Sequence, residues 1–561
     1  MNTKYDVVIM GGGLSGLALA IQLKREKPNI SILILEKSGD AAPTAAHKVG
    51  ESTVELGSYY LRNVLGLKDY LEAHELPKHG LRFFFKSHTK EDITSRVELG
   101  PRKWLVVPSH QLDRGTLENH MAKLCQELGC TLIRGAIAKD VDFGEVNTVT
   151  YKIGEEMNTV TARWVVDATG RSAVIKRRLG FAEPSVHDSC SVWWRLKGVI
   201  DVDTWSEDRN WRDRLEPKLR YLSTVHFMDK GYWLWVIPLG SKNTSIGIVA
   251  DPKIHPLNTY NTYEKAMEWL RVNEPLAYSK LEPETPNLMD FLQLKHYSHN
   301  TGRIYSADQR WGITGEAGAF LDPLYSPGTD FISMCNLWLG DLIVQDLEGE
   351  DISLRGKVYE QAYLTQVNNW LPIYIDKYQL MGNTQIMVIK IFWDWAVYWA
   401  VHCLLFTNKA FINISVLKRI FGAENGLGNR LGLLSRQMQQ MFIDWREHET
   451  EIFERRYIDP YDLQFMRDFQ IGLEKQHETT ALLAKVEENL KRLEQIAAAI
   501  FQLVSAEVKD TPIDMPINPY TFSLKNDNNE SSIEEGAVIP SKDIIDDVRL
   551  MWFYKAKELA Q

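Results

Sequence analysis

An α/β fold built around a dinucleotide-binding sheet is predicted by three observations. A short apolar strand runs into a glycine loop, two later strands end in small glycine-containing loops, and helical periodicity dominates the last third of the chain. The first strand is Tyr5-Asp6-Val7-Val8-Ile9-Met10, followed by Gly11-Gly12-Gly13-Leu14-Ser15-Gly16 and the helix-like run LALAIQLKREKP. In that loop Gly11 permits the tight turn, Gly13 lets a pyrophosphate approach the backbone and Gly16 allows close helix–strand contact. The helix N-terminus at Leu14 and Ser15 offers amides to phosphates. After a second strand, Ser31 to Leu35, Glu36 stands where an acid bonds a ribose hydroxyl.

With 561 residues the chain exceeds what one core supports. Four parts are expected: 1–185 as the first part of the nucleotide domain, 186–289 as a β-rich region, 290–345 as a return to the nucleotide domain, and 346–561 as a helical region. The β-rich region carries VWWRLKGVIDVD, YLSTVHFMD, GYWLWVIPLG and TSIGIVAD, which read as a sheet on the substrate side. The longest helical run spans 472–508, amphipathic and charge-patterned, and reads as a capping helix or a surface for a homodimer. A polar stretch at 525–535 reads as a flexible loop.

Composition is that of a globular protein, 44% hydrophobic and 25% charged, with mean hydropathy -0.26. A net charge of -10 argues against general affinity for nucleic acid or anionic membranes. Five scattered cysteines without a C-x-x-C point to reduced thiols in a cytoplasmic protein, with neither disulfides nor a metal site. The chain enters its first strand at once, so no signal peptide is expected. The apolar run Gln385 to Phe406 carries Lys390 and Asp394 near its middle and is expected to be a buried or interface helix lining an apolar cavity, not a membrane span.

Two further segments identify the nucleotide. Trp164 to Gly170 is a strand ending in D-A-T-G, with Asp167 at its tip, and Trp311 to Gly318 is a strand ending in G-E-A-G, with Gly315 and Glu316. With the glycine loop they resemble the three FAD motifs of the flavin monooxygenase superfamily typified by para-hydroxybenzoate hydroxylase. Glu316 stands where that superfamily usually has Asp, a longer carboxylate still able to reach a ribityl chain. Gln111-Leu112-Asp113-Arg114 before a helix-like run also matches, and implies Arg114 near the flavin; a helix-start ion pair is the plainer alternative.

Three places narrow the resemblance to the flavin-dependent halogenases, on the phenol and pyrrole branch. Gly50-Glu51-Ser52 resembles the segment flanking the isoalloxazine ring, Lys78-His79-Gly80 resembles the Lys-x-Gly stretch bearing the essential lysine, and Trp233-Leu234-Trp235-Val236-Ile237-Pro238 resembles the W-x-W-x-I-P motif of the family. The resemblance implies that Trp233 and Trp235, on one face of an extended segment, wall substrate off from the flavin. It implies that Lys78 holds hypohalous acid as an ammonium hydrogen-bond donor or as a haloamine. Lys48 and Lys86 are lesser rivals.

The loop Phe320 to Asp330 aligns with the family's halide site, where successive backbone amides bind chloride or bromide. Pro327 lacks an N–H, so the amides of Gly328 and Thr329 are left to form the nest. Tyr325 stands where tryptophan halogenases have a glutamate, and points to phenol-like or pyrrole-like substrates that activate their own ring. A second nucleotide-binding glycine loop is not evident, which fits FADH2 delivered by a separate flavin reductase. The expected function is halogenation of an electron-rich aromatic, free or carrier-tethered. Oxygen insertion on the same scaffold is the alternative, motivated by Pro327, and a non-catalytic flavoprotein that binds partners is a third reading.

Overall fold

The computed structural model describes residues 4–43, 50–86, 88–422, 426–448, 456–509, 515–525 and 536–552. Most of the polar stretch at 525–535, and Lys48, one of the two rivals to Lys78, lie outside the described residues.

Two eight-stranded sheets form the framework. In the first, the order along the path is Tyr305–Ser306, Trp311–Ile313, Glu156–Asp167, Lys4–Met10, Ile32–Glu36 and Thr131–Arg134, and every pairing on it after the first is parallel. The hydrophobic stretches Val7 to Met10 and Ile32 to Leu35 are wholly buried, as strands covered by helices on both faces require. The helix Leu14–Glu26 follows the first strand across Gly11, whose φ of 112° is open to glycine and strained for any other residue. A Cβ at Gly16 would lie 2.1 Å from the Gly11 carbonyl oxygen, so glycine sets the depth at which this helix meets the sheet. The long helix Gly328–Leu347 packs on Leu14–Glu26.

The second sheet runs Leu288–Leu294, Cys190–Lys197, Asn243–Ala250, Tyr232–Pro238, Thr224–Asp229, Leu81–Phe84, Glu98–Leu99 and Tyr457–Ile458. Its middle strands come from the tryptophan-dense region, but two strands come from the first hundred residues and one from the helical region. Alternation along Tyr232–Pro238 divides the strand cleanly. Trp233, Trp235 and Ile237 enter the main core, whereas Tyr232, Leu234 and Val236 enter a second core with the helices Tyr263–Asn273 and Pro275–Leu281. Both faces are covered, so every residue of the strand is buried.

The C-terminal part is helical. Ser353–Trp370, Leu427–Trp445 and the 31-residue Thr479–Lys509 surround a helical run from Thr384 to Thr407, which contains a π-helical turn at Tyr398–Cys403. Thr384–Thr407 is long and apolar enough to cross a membrane, but 94% of its apolar window is buried within the protein. It is a core element, as its interior charges foretold. Thr479–Lys509 buries Leu482, Val486, Leu490 and Leu493, one stripe at helical spacing, against Leu427–Trp445 and Lys542–Arg549. All five cysteines are buried and free.

Candidate active site

Two cavities meet between the sheets and the helical part. The larger, about 610 Å³, follows the glycine loop and is lined by Gly11, Gly13, Leu14, Ser15 and Glu36. It continues past Gly50, Glu51, Ser52 and Arg114 to Gly315, Glu316, Gly328 and Thr329. Its size suits a dinucleotide-type ligand, and its backbone suits a pyrophosphate. A Cβ at Gly13 would project into free space, 3.9 Å from its nearest neighbour, which leaves the amides of the helix N-terminus open to an anion. Glu36 accepts hydrogen bonds from the Gly12 amide at 2.7 Å and the Ser38 amide at 2.8 Å, using two of the four acceptor positions of its carboxylate.

Arg114 is braced by Glu118 at 2.6 Å and donates to the Gly50 carbonyl at 3.3 Å, so the predicted ion pair and a place on the cavity wall coexist. Glu51 is held by Arg195 through Nε at 3.0 Å and Nη2 at 2.9 Å. Burial raises the pKa of both Glu51 and Glu316, the arginines nearby opposing it.

Asp167 departs from expectation. Its Oδ1 accepts from the Thr169 amide and hydroxyl, its Oδ2 from the Ile175 amide at 2.7 Å, and no part of it is exposed. It fixes the turn that brings Ala168, Thr169 and Gly170 to the cavity instead of facing the cavity itself. Gly16 likewise serves packing and lies behind the wall.

The smaller cavity, about 90 Å³, is apolar and is lined by Lys78, Glu55, Tyr325, Asp330, Asp394 and a group of aromatic side chains that includes Trp370, Tyr374, Trp395 and Trp399. Each enclosed water needs roughly 10–15 Å³ of such volume, so the space would hold about six to nine, in the range of one substituted aromatic ring. Trp233 and Trp235 were expected to line the substrate pocket; they line the larger cavity instead. Their ring centroids are 5.6 Å apart, and each is fixed by its indole N–H, Trp233 to the Tyr378 hydroxyl and Trp235 to the Ser245 hydroxyl, both at 3.1 Å. Tyr378 in turn donates to Asp322 at 2.9 Å, which ties the tryptophan wall to the loop before Gly328. His226 stacks on Phe83 at 4.5 Å and lies 5.3 Å from Trp233, and Phe83 lies 6.0 Å from Trp395. His226 and Trp233 line the larger cavity and Trp395 the smaller, so these ring contacts run from one to the other through Phe83.

Lys78 sits at the junction. It ends the strand Leu76–Lys78, paired with Ser109–Gln111, and is buried. Its Nζ donates to the Thr53 carbonyl at 2.6 Å and to the Ser52 hydroxyl at 2.8 Å, and Ser52 itself lines the larger cavity. Ser52 also shares a hydrogen bond with Thr224 at 2.8 Å. Burial pulls the Lys78 pKa down to about 7, against the attraction of Glu55 and Asp330.

Glu55, Asp330, Tyr398 and Trp399 surround this lysine and were not singled out from the sequence. Glu55 accepts from Trp399 Nε1 at 2.8 Å, and Asp330 accepts from the Tyr398 hydroxyl at 2.8 Å and the Gly57 amide at 2.7 Å. Burial raises Glu55 and pushes Asp330 up to about 7. Both aromatic donors stand at the π-turn, a feature common at functional sites. The available signals were the acid three residues after Ser52 and the Asp closing the Phe320 to Asp330 loop.

In that loop Pro327 is the N-cap of Gly328–Leu347 and lines both cavities. Tyr325 and Ser326 precede it with φ of 70° and 60°. The amides of Gly328 and Thr329 belong to the first helical turn, where no intrahelical acceptor exists.

A family model described as the FAD binding domain matches residues 4–245. A flavin-dependent halogenase, chlA, of Dictyostelium discoideum is 26% identical over 437 residues, covering 71% of this chain and 70% of that protein. A 1H-pyrrole-2-carbonyl-[peptidyl-carrier protein] chlorinase of Pseudomonas fluorescens is 25% identical over 400 residues, covering 67% of this chain and 84% of the relative. Among solved structures, halogenase PltM in complex with phloroglucinol and FAD superposes with a TM-score of 0.61 at 17% identity, over 87% of this chain and 96% of the other, which shows a shared fold. Motifs, fold and relatives agree that this chain is an FAD-dependent enzyme of the oxidoreductase class, related to the flavin-dependent halogenases.

Proposed function

We propose that the chain halogenates an electron-rich, phenol-like or pyrrole-like aromatic, using FADH2, O2 and chloride or bromide. What carries the reading is the hydrogen bond from Lys78 to Ser52: a buried lysine lining the apolar cavity holds a hydroxyl lining the larger one. Reduced FAD, when bound, supplies the two electrons that activate O2 so that halide leaves as hypohalous acid. Everything else falls to the chain. The glycine loop, Glu36 and Arg114 hold the dinucleotide, and the first amides of Gly328–Leu347 hold the halide, helped by the positive end of the helix. Trp233 and Trp235 keep the aromatic substrate from the flavin.

Lys78 then receives hypohalous acid and presents it in the apolar cavity, where little water competes. A lysine with a pKa near 7 serves this role because free amine and ammonium are both populated at neutral pH. In the transfer, ring carbon bonds to halogen with a π pair, the halogen–oxygen bond breaks, and the ring proton leaves to complete water. FADH2 comes from a separate flavin reductase, and the work is done in the cytoplasm. Two relatives named for carrier-bound pyrroles support a carrier-tethered form of the substrate.

Oxygen insertion is the second reading, and Pro327 favours it by removing one amide from the halide nest. Incubation with FADH2, O2 and chloride or bromide, first with monochlorodimedone and then with a panel of phenols, separates the two by product mass. Halogenated products that follow the halide supplied are expected. Products heavier by one oxygen alone, indifferent to halide, would overturn the proposal.

A further inference from the structure

The two charges inside the apolar helix Thr384–Val397 find their partners at the wall of the smaller cavity. Lys390 and Asp394, one turn apart, form a buried pair at 2.5 Å. An apolar pair of similar volume would serve folding as well or better, so burial of this one asks for another use. The carboxylate is the member that faces the cavity; the lysine lies behind it. Asp394 Oδ2 accepts from Lys390 and from the Tyr325 hydroxyl at 3.0 Å, and its Oδ1 accepts from Gln439 Nε2 at 2.8 Å. A carboxylate has about four acceptor positions, so one on Oδ1 is left.

Tyr325 reaches Asp394 from two successive left-handed residues, a strained backbone state at non-glycine positions that persists where the surroundings enforce it. Around the carboxylate the cavity is aromatic, with Tyr374, Trp395 and Trp370 on its walls. A flat ring satisfies those walls, and one donor on that ring satisfies Asp394. Glu55, Asp330 and Asp394 all line this cavity, Lys78 is the only lysine or arginine on its wall among the described residues, and Lys390 behind the wall is already paired with Asp394, so a substrate carboxylate meets three carboxyl groups and finds no cation to spare.

We propose that Asp394, held by Lys390 and Tyr325, anchors a neutral hydrogen-bond donor of the substrate, a phenolic O–H or a pyrrole-type N–H, and that this cavity rejects aromatic carboxylates. The proposal deepens the halogenase reading by naming the substrate feature recognised, and its test needs neither halide nor reduced flavin. Binding to the FAD-loaded protein is followed by quenching of tryptophan fluorescence, with 4-chlorophenol, 2-acetylpyrrole, 4-chloroanisole and 4-chlorobenzoate as probes.

The phenol or the pyrrole is expected to bind at least about tenfold tighter than the anisole, as loss of one charge-assisted hydrogen bond predicts, and the benzoate weakest of all. The double substitution Lys390→Met with Asp394→Leu removes both charges together, keeps the helix apolar, and is expected to reduce the donor preference to about one. Tyr325→Phe, with Asp394 still paired to Lys390, is expected to keep part of it. Equal binding of phenol, pyrrole and anisole to the native protein, preference for the benzoate, or an unchanged donor preference in the double variant would overturn the proposal. Because no turnover is measured, a protein that inserts oxygen instead of halogen still reports on Asp394.

Discussion

The two cavities are built by different means. The larger one is framed by backbone: glycines at Gly11 and Gly13 and the first turns of two helices, with the carboxyl groups of Glu36 and Glu316 beside them. The smaller one is side chain: Lys78, Glu55, Asp330, Asp394 and a set of aromatics, brought together from the early strands, the loop before Gly328 and the buried helical run from Thr384 to Thr407. A dinucleotide is recognised by backbone amides at fixed spacing, so its site is written in short motifs. A substrate ring is recognised by surfaces, and surfaces are assembled by tertiary contacts.

Substitutions that act on one cavity and spare the other sharpen that contrast. The largest expected effect is on the backbone side: Gly11→Val places a Cβ about 2.2 Å from the Ala168 carbonyl oxygen. Strain of about 3 kcal/mol or more should weaken FAD binding at least about a hundredfold, read by flavin fluorescence titration, or abolish soluble expression. Pro327→Ser returns an N–H to the N-cap beside Gly328 and should lower the KM for chloride about twofold to tenfold, with FAD affinity unchanged.

Trp233→Phe removes the indole donor to Tyr378 while keeping an aromatic wall, and should lower stability by about 1 kcal/mol in urea unfolding. A pH slope tests the lysine between the cavities. Lys78 is pulled from its ordinary 10.5 to about 7, so between those values the unfolded chain binds more protons than the folded one. Stability contributed by Lys78 therefore rises with pH from about 7 to about 10.5, by at most about 1.4 kcal/mol per pH unit. Asp330, raised from 3.8 to about 7, acts with the opposite sign in the window below. Urea midpoints of the native protein and Lys78→Met, compared at pH 7.5 and pH 9, isolate the lysine's share.

How far the sequence revealed each cavity follows from the same contrast. Strand, glycine loop, helix and Glu36 were legible because every part lies within one βαβ unit. Asp167 was read correctly as the tip of a strand and wrongly as a cavity residue, because the motif fixes the turn while only the fold shows that its oxygens face Thr169 and Ile175. Lys78 was legible from its Lys-x-Gly context. Glu55 was not, since its donors are 344 and 415 residues away along the chain. For the tryptophan pair, periodicity gives that the two residues share a face and not which cavity that face meets. Lys390 and Asp394 marked the apolar helix as buried, and their link to Tyr325 exists only once that helix packs on the loop.

Whether Lys78 carries halogen from the larger cavity to the smaller is decided by comparing two readouts in Lys78→Met. Flavin oxidation and hypohalous acid released to bulk monochlorodimedone report on the larger cavity; halogenation of a bound phenol, by mass spectrometry, reports on transfer into the smaller one. FAD binding and reduced-flavin oxidation should persist while phenol halogenation falls at least about a hundredfold. Phenol halogenation at the native rate in this variant would contradict the account.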